Sequence, residues 1–203
     1  MYIVCSDLEG ILFPEIWINV AEKTGIEELR LTTRDTSDYD VLMKKRLAIL
    51  HENGLKIQDI KEVIATISPI DGALEFLNWL RENVQVVIVS DTFVQFAGPL
   101  MKQLGWPTIF CHSLSIGPGG MITGYNLRQA DGKRRVVLAL KGLNYQTIAV
   151  GDSYNDIHML QEAEKGILYN PPPQVVNDYP EFSVTRSYDE LKALIGETLT
   201  LLP

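Results

Sequence analysis

Two carboxylates one residue apart, Asp7 and Glu9, follow the apolar run Tyr2-Ile3-Val4-Cys5. A continuous apolar block of this kind marks a strand buried on both faces of a parallel sheet. Open α/β sheets bind ligands beyond the carboxyl ends of their strands, which is where these two carboxylates fall. Acidic side chains there, with Gly10 permitting a close turn, point to a metal or phosphate site. Three further groups stand in similar places. Ser90-Asp91 closes the β-branched run 84–89, Lys133 lies at a helix start, and Gly151-Asp152-x-x-Asn155-Asp156 follows the apolar run 147–150.

Each has an ordinary structural use. Asp152 and Asp156 suit a helix N-terminus, where carboxylates are favoured anyway. Ser90 could simply cap the helix after it. Lys133 sits in Lys133-Arg134-Arg135, and such runs usually face solvent. The chemical reading gains force if the strands ending at Asp7, Ser90 and Asp152 are neighbours, because their polar groups then converge on one sheet edge.

The intervening segments supply those strands. From residue 71 onward, helix and strand patterns alternate: a helix over 73–83, a strand over 84–89 and a helix carrying Pro99, which should kink or divide it. A short strand over 108–111 and half of a hairpin over 121–127 come next, after Gly117-Pro118-Gly119-Gly120. Then follow a helix over 133–143, a strand over 147–150, a helix over 153–163, a strand over 166–169 and a loop at Pro171-Pro172-Pro173. Ser187-x-x-Glu190 reads as a capping box opening a last helix to about Gly196. Between Pro14 and Pro69 only helical patterns occur, around a polar, loop-like stretch over 32–40. The expected fold is therefore α/β: a Rossmann-like, mostly parallel sheet with helices on both faces. Residues 1–13 and 71–203 would form this core, and 14–70 a small helical insertion after the first strand.

Bulk properties set limits. At 203 residues, with 46% hydrophobic and 22% charged residues, the chain can bury a full core. A net charge of -8 argues against nucleic acid or an anionic membrane as partner. It does not exclude an anionic substrate, since a bound divalent cation reverses the local field. Cys5 and Cys111 lie in apolar, strand-like surroundings and are expected to be buried thiols, as in a reducing compartment. Without a signal-peptide pattern or an 18-residue apolar run, a soluble cytoplasmic protein is expected, as monomer or homodimer.

Taken in order, Asp7-x-Glu9, Ser90, Lys133 and Gly151-Asp152-x-x-Asn155-Asp156 resemble the haloacid dehalogenase superfamily, and within it the phosphoserine phosphatase branch. Lys133, two residues and then the apolar pair Val136-Val137 also match the family pattern. The resemblance spans most of the chain, including the insertion, where that branch carries a helical cap. It implies that Asp7 is a nucleophile forming an aspartyl phosphate and Glu9 the acid/base. Asp7, the Glu9 backbone carbonyl and Asp152 would hold Mg²⁺, a cation that prefers oxygen ligands, with Asp156 orienting its waters. Ser90, aided by amides of the following helix start, Lys133 and Asn155 would bind the phosphate. From the cap, Glu15 would pair with a substrate ammonium and Arg46 grip its carboxylate.

Two departures stand out. The family usually has Asp where this chain has Glu9, and one methylene moves a carboxyl by ~1.5 Å. Where phosphoserine phosphatases commonly carry Ser-Gly-Gly, this chain has Ser90-Asp91-Thr92. Asp91 would either select a substrate ammonium or turn outward as a helix cap. The two together resemble a bifunctional subfamily that passes phosphate from phosphoserine to water or to homoserine. The alternatives are a phosphatase of another small phosphomonoester and a catalytically silent phosphate-binding module. Tyr39 could line the pocket, although packing is the commoner use of tyrosine at a loop–helix junction. No metal spacing links His51, His112 and His158, and they receive no role.

Overall fold

The computed structural model describes residues 1–32 and 39–201. Most of the loop-like stretch expected over 32–40 therefore lies outside the described residues. Seven strands form one sheet in the order β4-β3-β2-β1-β5-β6-β7: β1 (Tyr2–Ser6), β2 (Gln85–Phe93), β3 (Ile109–Ile116), β4 (Ile122–Asn126), β5 (Gln146–Gly151), β6 (Lys165–Tyr169) and β7 (Ser183–Thr185). All neighbours run parallel except the β3–β4 hairpin at one edge. The expected α/β architecture is present.

The β1 side chains show why the sheet is covered on both faces. Val4 packs with Ile88, Ile148 and Ile167 on one face, against α1 (Ile16–Thr24), α4 (Ala73–Asn83), α5 (Val94–Gln103) and α9 (Tyr188–Leu201). Ile3 and Cys5 pack with Val87, Val89 and Ala149 on the other, with α6 (Gly132–Gly142) and α7 (Ile157–Glu162). Alternate residues of one strand feed two cores, so the run has no polar side to reveal its period.

Between β1 and α4 the described regular elements are helices: α1, a 3₁₀ turn over Glu27–Arg30, α2 (Tyr39–Glu52) and α3 (Ile57–Ile64). Helix α2 starts at Tyr39, earlier than the apolar pattern from Val41 indicates. Pro99 lies inside a single helix, α5, and does not divide it. A short helix α8 (Pro173–Asp178) follows the prolines, with Pro173 as its first residue, where a missing N–H costs nothing. It and the three-residue β7 are too short to give a pattern. At α9, the Glu190 N–H donates to Ser187 Oγ at 3.3 Å, while the Glu190 carboxylate accepts the Arg186 N–H at 2.6 Å. The reciprocal half of the capping box is thus displaced by one residue, and α9 runs past Gly196. Both cysteines are free thiols, Cys5 buried and Cys111 only partly so.

Candidate active site

Strand β1 has neighbours β2 and β5 on either side, and the chain departs from it in opposite directions. That switch point leaves a crevice at the strands' carboxyl ends. Asp7, Ser90 and Asp152 meet there, in one pocket also lined by Glu9, Glu15, Arg46, Asp91, Lys133 and Asn155. Every expected site residue except Asp156 reaches this pocket, and Asp156 lies directly behind it.

Asp7 is fixed by the backbone. Its N–H donates to the Val150 carbonyl at 2.9 Å, and its Oδ1 accepts the Leu8 N–H at 2.7 Å. Its Oδ2 lies 3.0 Å from Lys133 Nζ. Lys133, the second residue of α6, is buried and also donates to Asp156 Oδ1 at 2.7 Å. The other Asp156 oxygen accepts the N–H groups of Asp152 and Ser153, at 2.9 and 3.2 Å. Asp156 therefore caps its turn and anchors Lys133 at once, and both of its oxygens have protein partners.

These buried charges perturb one another. Burial, then the charge of Asp156, pushes the Asp7 carboxyl well above the usual carboxylate range against the pull of Lys133. Burial works against the Lys133 charge, but Asp156, Asp7 and Asp91 hold it well above the ordinary lysine value. Removal from water, then the charge of Glu15, pushes Glu9 up to about 8. The Glu9 carboxylate accepts the Ile16 N–H at 2.8 Å, at the start of α1.

The donor set fits a hard cation. Asp7, Asp152 and Asp156 each bring a carboxylate oxygen within 4.8 Å of the others, all buried. The backbone is shaped around them. A Cβ on Gly10, whose φ is +77°, would lie 2.4 Å from Asp152 Oδ2, and one on Gly151 would lie 2.3 Å from Asp156 Cβ. Asp7 and Asp152 line the pocket, whereas Asp156 lies behind it, bonded to Lys133 and two amides.

Ser90 departs from expectation. Strand β2 continues through Phe93, which pairs with His112 after a register shift, and α5 begins only at Val94. Ser90 therefore caps none of the described helices, and α5 starts four residues beyond it. Its Oγ instead accepts the Thr92 N–H at 3.1 Å, in the irregular segment that the shift produces. Asp91 does not cap a helix either. Its Oδ2 accepts Asn155 Nδ2 at 2.7 Å, and its Oδ1 lies 3.3 Å from His112 Nε2. Asn155 lines the pocket, but its amide serves Asp91 and, through Oδ1, the Ser153 hydroxyl at 2.6 Å.

Arg46 projects into the pocket from α2, its guanidinium 4.5 Å from the centre of the Trp17 ring. Nη2 donates to the Leu31 carbonyl at 2.8 Å, whereas the buried Nε has no hydrogen-bond partner among the described residues. Tyr39, Trp17, Thr92 and Ser153 also line the pocket. Tyr39 both packs and bonds: its hydroxyl donates to the Asp91 carbonyl at 2.9 Å. His158 is exposed beside Asp131 and His51 is exposed, so neither approaches the site.

The sequence profile of the haloacid dehalogenase-like hydrolases matches residues 8–164. The chain belongs to this family. It is 58% identical over 192 residues to the phosphoserine phosphatase ThrH of Pseudomonas aeruginosa, covering 95% of this chain and 94% of that one. It is also 58% identical over 190 residues to a phosphoserine phosphatase of Pseudomonas syringae pv. tomato, covering 94% and 80%. A solved structure described as a phospho-aspartyl intermediate analogue of phosphoserine phosphatase shares the fold, with a TM-score of 0.79 at 20% identity over 95% of this chain and 98% of that one. The resemblance of Asp7-x-Glu9, Ser90, Lys133 and the Asp152 motif to the phosphoserine phosphatase branch therefore stands. No described helix of this haloacid dehalogenase-like hydrolase is long and apolar enough to cross a membrane.

Proposed function

We propose that the protein is a Mg²⁺-dependent phosphoserine phosphatase and phosphotransferase that passes phosphate from phosphoserine, through an aspartyl phosphate on Asp7, to water or homoserine. The observation that carries this reading is the 3.0 Å Asp7–Lys133 pair at the focus of a pocket that also holds Ser90, Glu9, Glu15 and Arg46. A binding module has no need of a buried carboxylate held this way. The 58% identity to proteins named phosphoserine phosphatase supports the substrate class.

Asp7 Oδ2 attacks phosphorus while the bond from phosphorus to the serine oxygen breaks. Leu8 N–H fixes the other carboxylate oxygen, so the attacking atom is aimed. Glu9, pushed up toward protonation, gives its proton to the departing serine oxygen. It then takes one from water or an alcohol, which attacks the phosphoryl group and frees Asp7. Lys133 and the Ser90 hydroxyl pair with the non-bridging oxygens. Asp7, Asp152 and the Glu9 carbonyl would hold Mg²⁺, which supplies positive charge against the phosphate oxygens. Residues 14–70 act as the cap and exclude bulk water, while Glu15 meets the substrate ammonium and the Arg46 guanidinium its carboxylate.

The test is incubation of the protein with Mg²⁺ and phosphoserine, with and without homoserine. Phosphate release in both, with phosphohomoserine in the second, is expected. Release without phosphohomoserine leaves a phosphatase alone, and neither product overturns the reading.

A further inference from the structure

His112 has no place in the chemistry above, yet it is buried beside it, 6% exposed in its side chain, on β3. Its two nitrogens have different partners. Nδ1 accepts the backbone N–H of Arg128 at 3.2 Å, and Nε2 faces Asp91 Oδ1 at 3.3 Å. An amide N–H can only donate, so Nδ1 is the acceptor and the ring proton sits on Nε2, directed at Asp91. The main chain thereby fixes the tautomer. Asn155 Nδ2 holds the other Asp91 oxygen at 2.7 Å. Neutral donors from two different segments thus grip both oxygens of one carboxylate.

The geometry around Lys133 gives that grip a purpose. An ammonium has three N–H donors. Asp156 at 2.7 Å and Asp7 at 3.0 Å take two of them, while Asp91 Oδ2 stands 3.7 Å away, beyond hydrogen-bond reach. The bonds from Asn155 and His112 hold both Asp91 carboxylate oxygens in place at that distance. It is about a quarter exposed, and it borders both the catalytic pocket and a second cavity lined by His112, Asn155 and Lys133. Released, the carboxylate would close on the ammonium and occupy the third donor, the one an incoming phosphate oxygen needs.

We propose that His112 is a positioning residue that, acting with Asn155, holds Asp91 off Lys133 and so keeps the third Lys133 donor available to phosphate. The proposal rests on the phosphoryl-transfer reading above. It also accounts for a carboxylate beside a site for a dianion: gripped and at a distance, Asp91 attracts Lys133 without competing for its protons.

Two substitutions separate positioning from packing. Asn in His112→Asn can still accept the Arg128 amide but is too short to reach Asp91. Gln in His112→Gln places an amide N–H near the Nε2 position. Steady-state kinetics on phosphoserine and calorimetric titration with inorganic phosphate in Mg²⁺ should show KM and the phosphate Kd rising about tenfold in His112→Asn, one hydrogen bond to a charged group. The value of kcat should change less, and His112→Gln should restore both constants to within about twofold. Asp91→Asn added to His112→Asn should also recover phosphate binding, because the competing charge is gone. Unchanged phosphate affinity in His112→Asn overturns the proposal, as does equal loss in both single variants. If the wild-type protein binds phosphate but does not turn over phosphoserine, the functional reading fails, and the phosphate titration still decides the role of His112.

Discussion

The Glu9 carboxylate accepts the Ile16 N–H at 2.8 Å, seven residues along the chain, and is thereby tied to the start of α1. The proposed acid/base is thus seated against the helical segment that covers the site. The extra methylene relative to Asp makes that contact possible, since a side chain ~1.5 Å shorter would stop short of the amide. Glu9→Asp should lower turnover by up to about 10²-fold and shift the partition of phosphoenzyme from homoserine toward water. Product analysis in mixed acceptor solutions measures the ratio. An unchanged ratio removes any role for the longer side chain in acceptor choice.

At the opposite end of the sheet, Glu164 Oε2 accepts both the Thr147 N–H at 2.6 Å and its hydroxyl at 2.7 Å. Burial opposes the charge, but these bonds and Lys141 win, and the Glu164 carboxyl lies below its ordinary value of 4.5. A depressed carboxylate contributes stability that is present above its unfolded-state pKa and lost as pH falls through the folded one. Glu164→Gln should cost about 1 kcal/mol at neutral pH, the gap between bonds to charged and neutral acceptors. Urea unfolding at neutral pH and below pH ~4.5 should show that gap shrinking in acid. A constant gap would assign the effect to packing.

The parallel core was legible because residues 2–5, 86–89 and 148–150 are apolar runs closely followed by the residues that meet at the switch point. Asp7, Ser90, Lys133 and Asp152 could be read by the same logic, since a polar group at a buried strand's carboxyl end has few structural uses. His112 could not. It lies in a half-buried stretch of β3, and its significance depends on Asp91, 21 residues away, and on the Arg128 amide, which belongs to no side-chain pattern. The helix expected directly after Ser90 does not begin there because β2 extends past it through a register shift, and a bulge in pairing leaves no mark on hydrophobic period. Asn155 and Asp156 fall in the right motif, but only coordinates reveal that their side chains serve Asp91 and Lys133.

Asp7 is held in ionised company that the fold disfavours. Burial and Asp156 both oppose its charge, and Lys133 only partly offsets them. Asp7→Asn keeps the shape, removes the nucleophile and relieves that repulsion. Turnover of phosphoserine should fall by at least about 10⁴-fold. In the absence of divalent cation the variant should unfold at higher denaturant, a gain of about 1–2 kcal/mol, as when destabilised active sites are neutralised. Calorimetry and phosphate-release assays measure the two together. Retained turnover would exclude Asp7 as nucleophile, and a loss of stability would show that its pairing with Lys133 outweighs the repulsion.

Tyr39 joins the helical segment to the catalytic edge. Its hydroxyl donates to the Asp91 carbonyl across 52 residues, and its ring meets Tyr125 and His112 edge-on at 6.0 and 6.2 Å. Tyr39→Phe retains the ring contacts and deletes one bond, so any effect reports on that bond rather than on the packing of the ring. A neutral hydrogen bond contributes about 0.5–1.5 kcal/mol, which corresponds to a rise of roughly 2- to 13-fold in KM for phosphoserine. The value of kcat should stay within about twofold, because the bond is to a backbone carbonyl and touches no reacting atom. Tyr125→Phe, which removes an exposed bond to Asp40, is the control and should change KM little. A Tyr39→Phe enzyme with unaltered KM would mean that the contact forms no part of substrate capture. A parallel fall in kcat would place Tyr39 in the transition state itself.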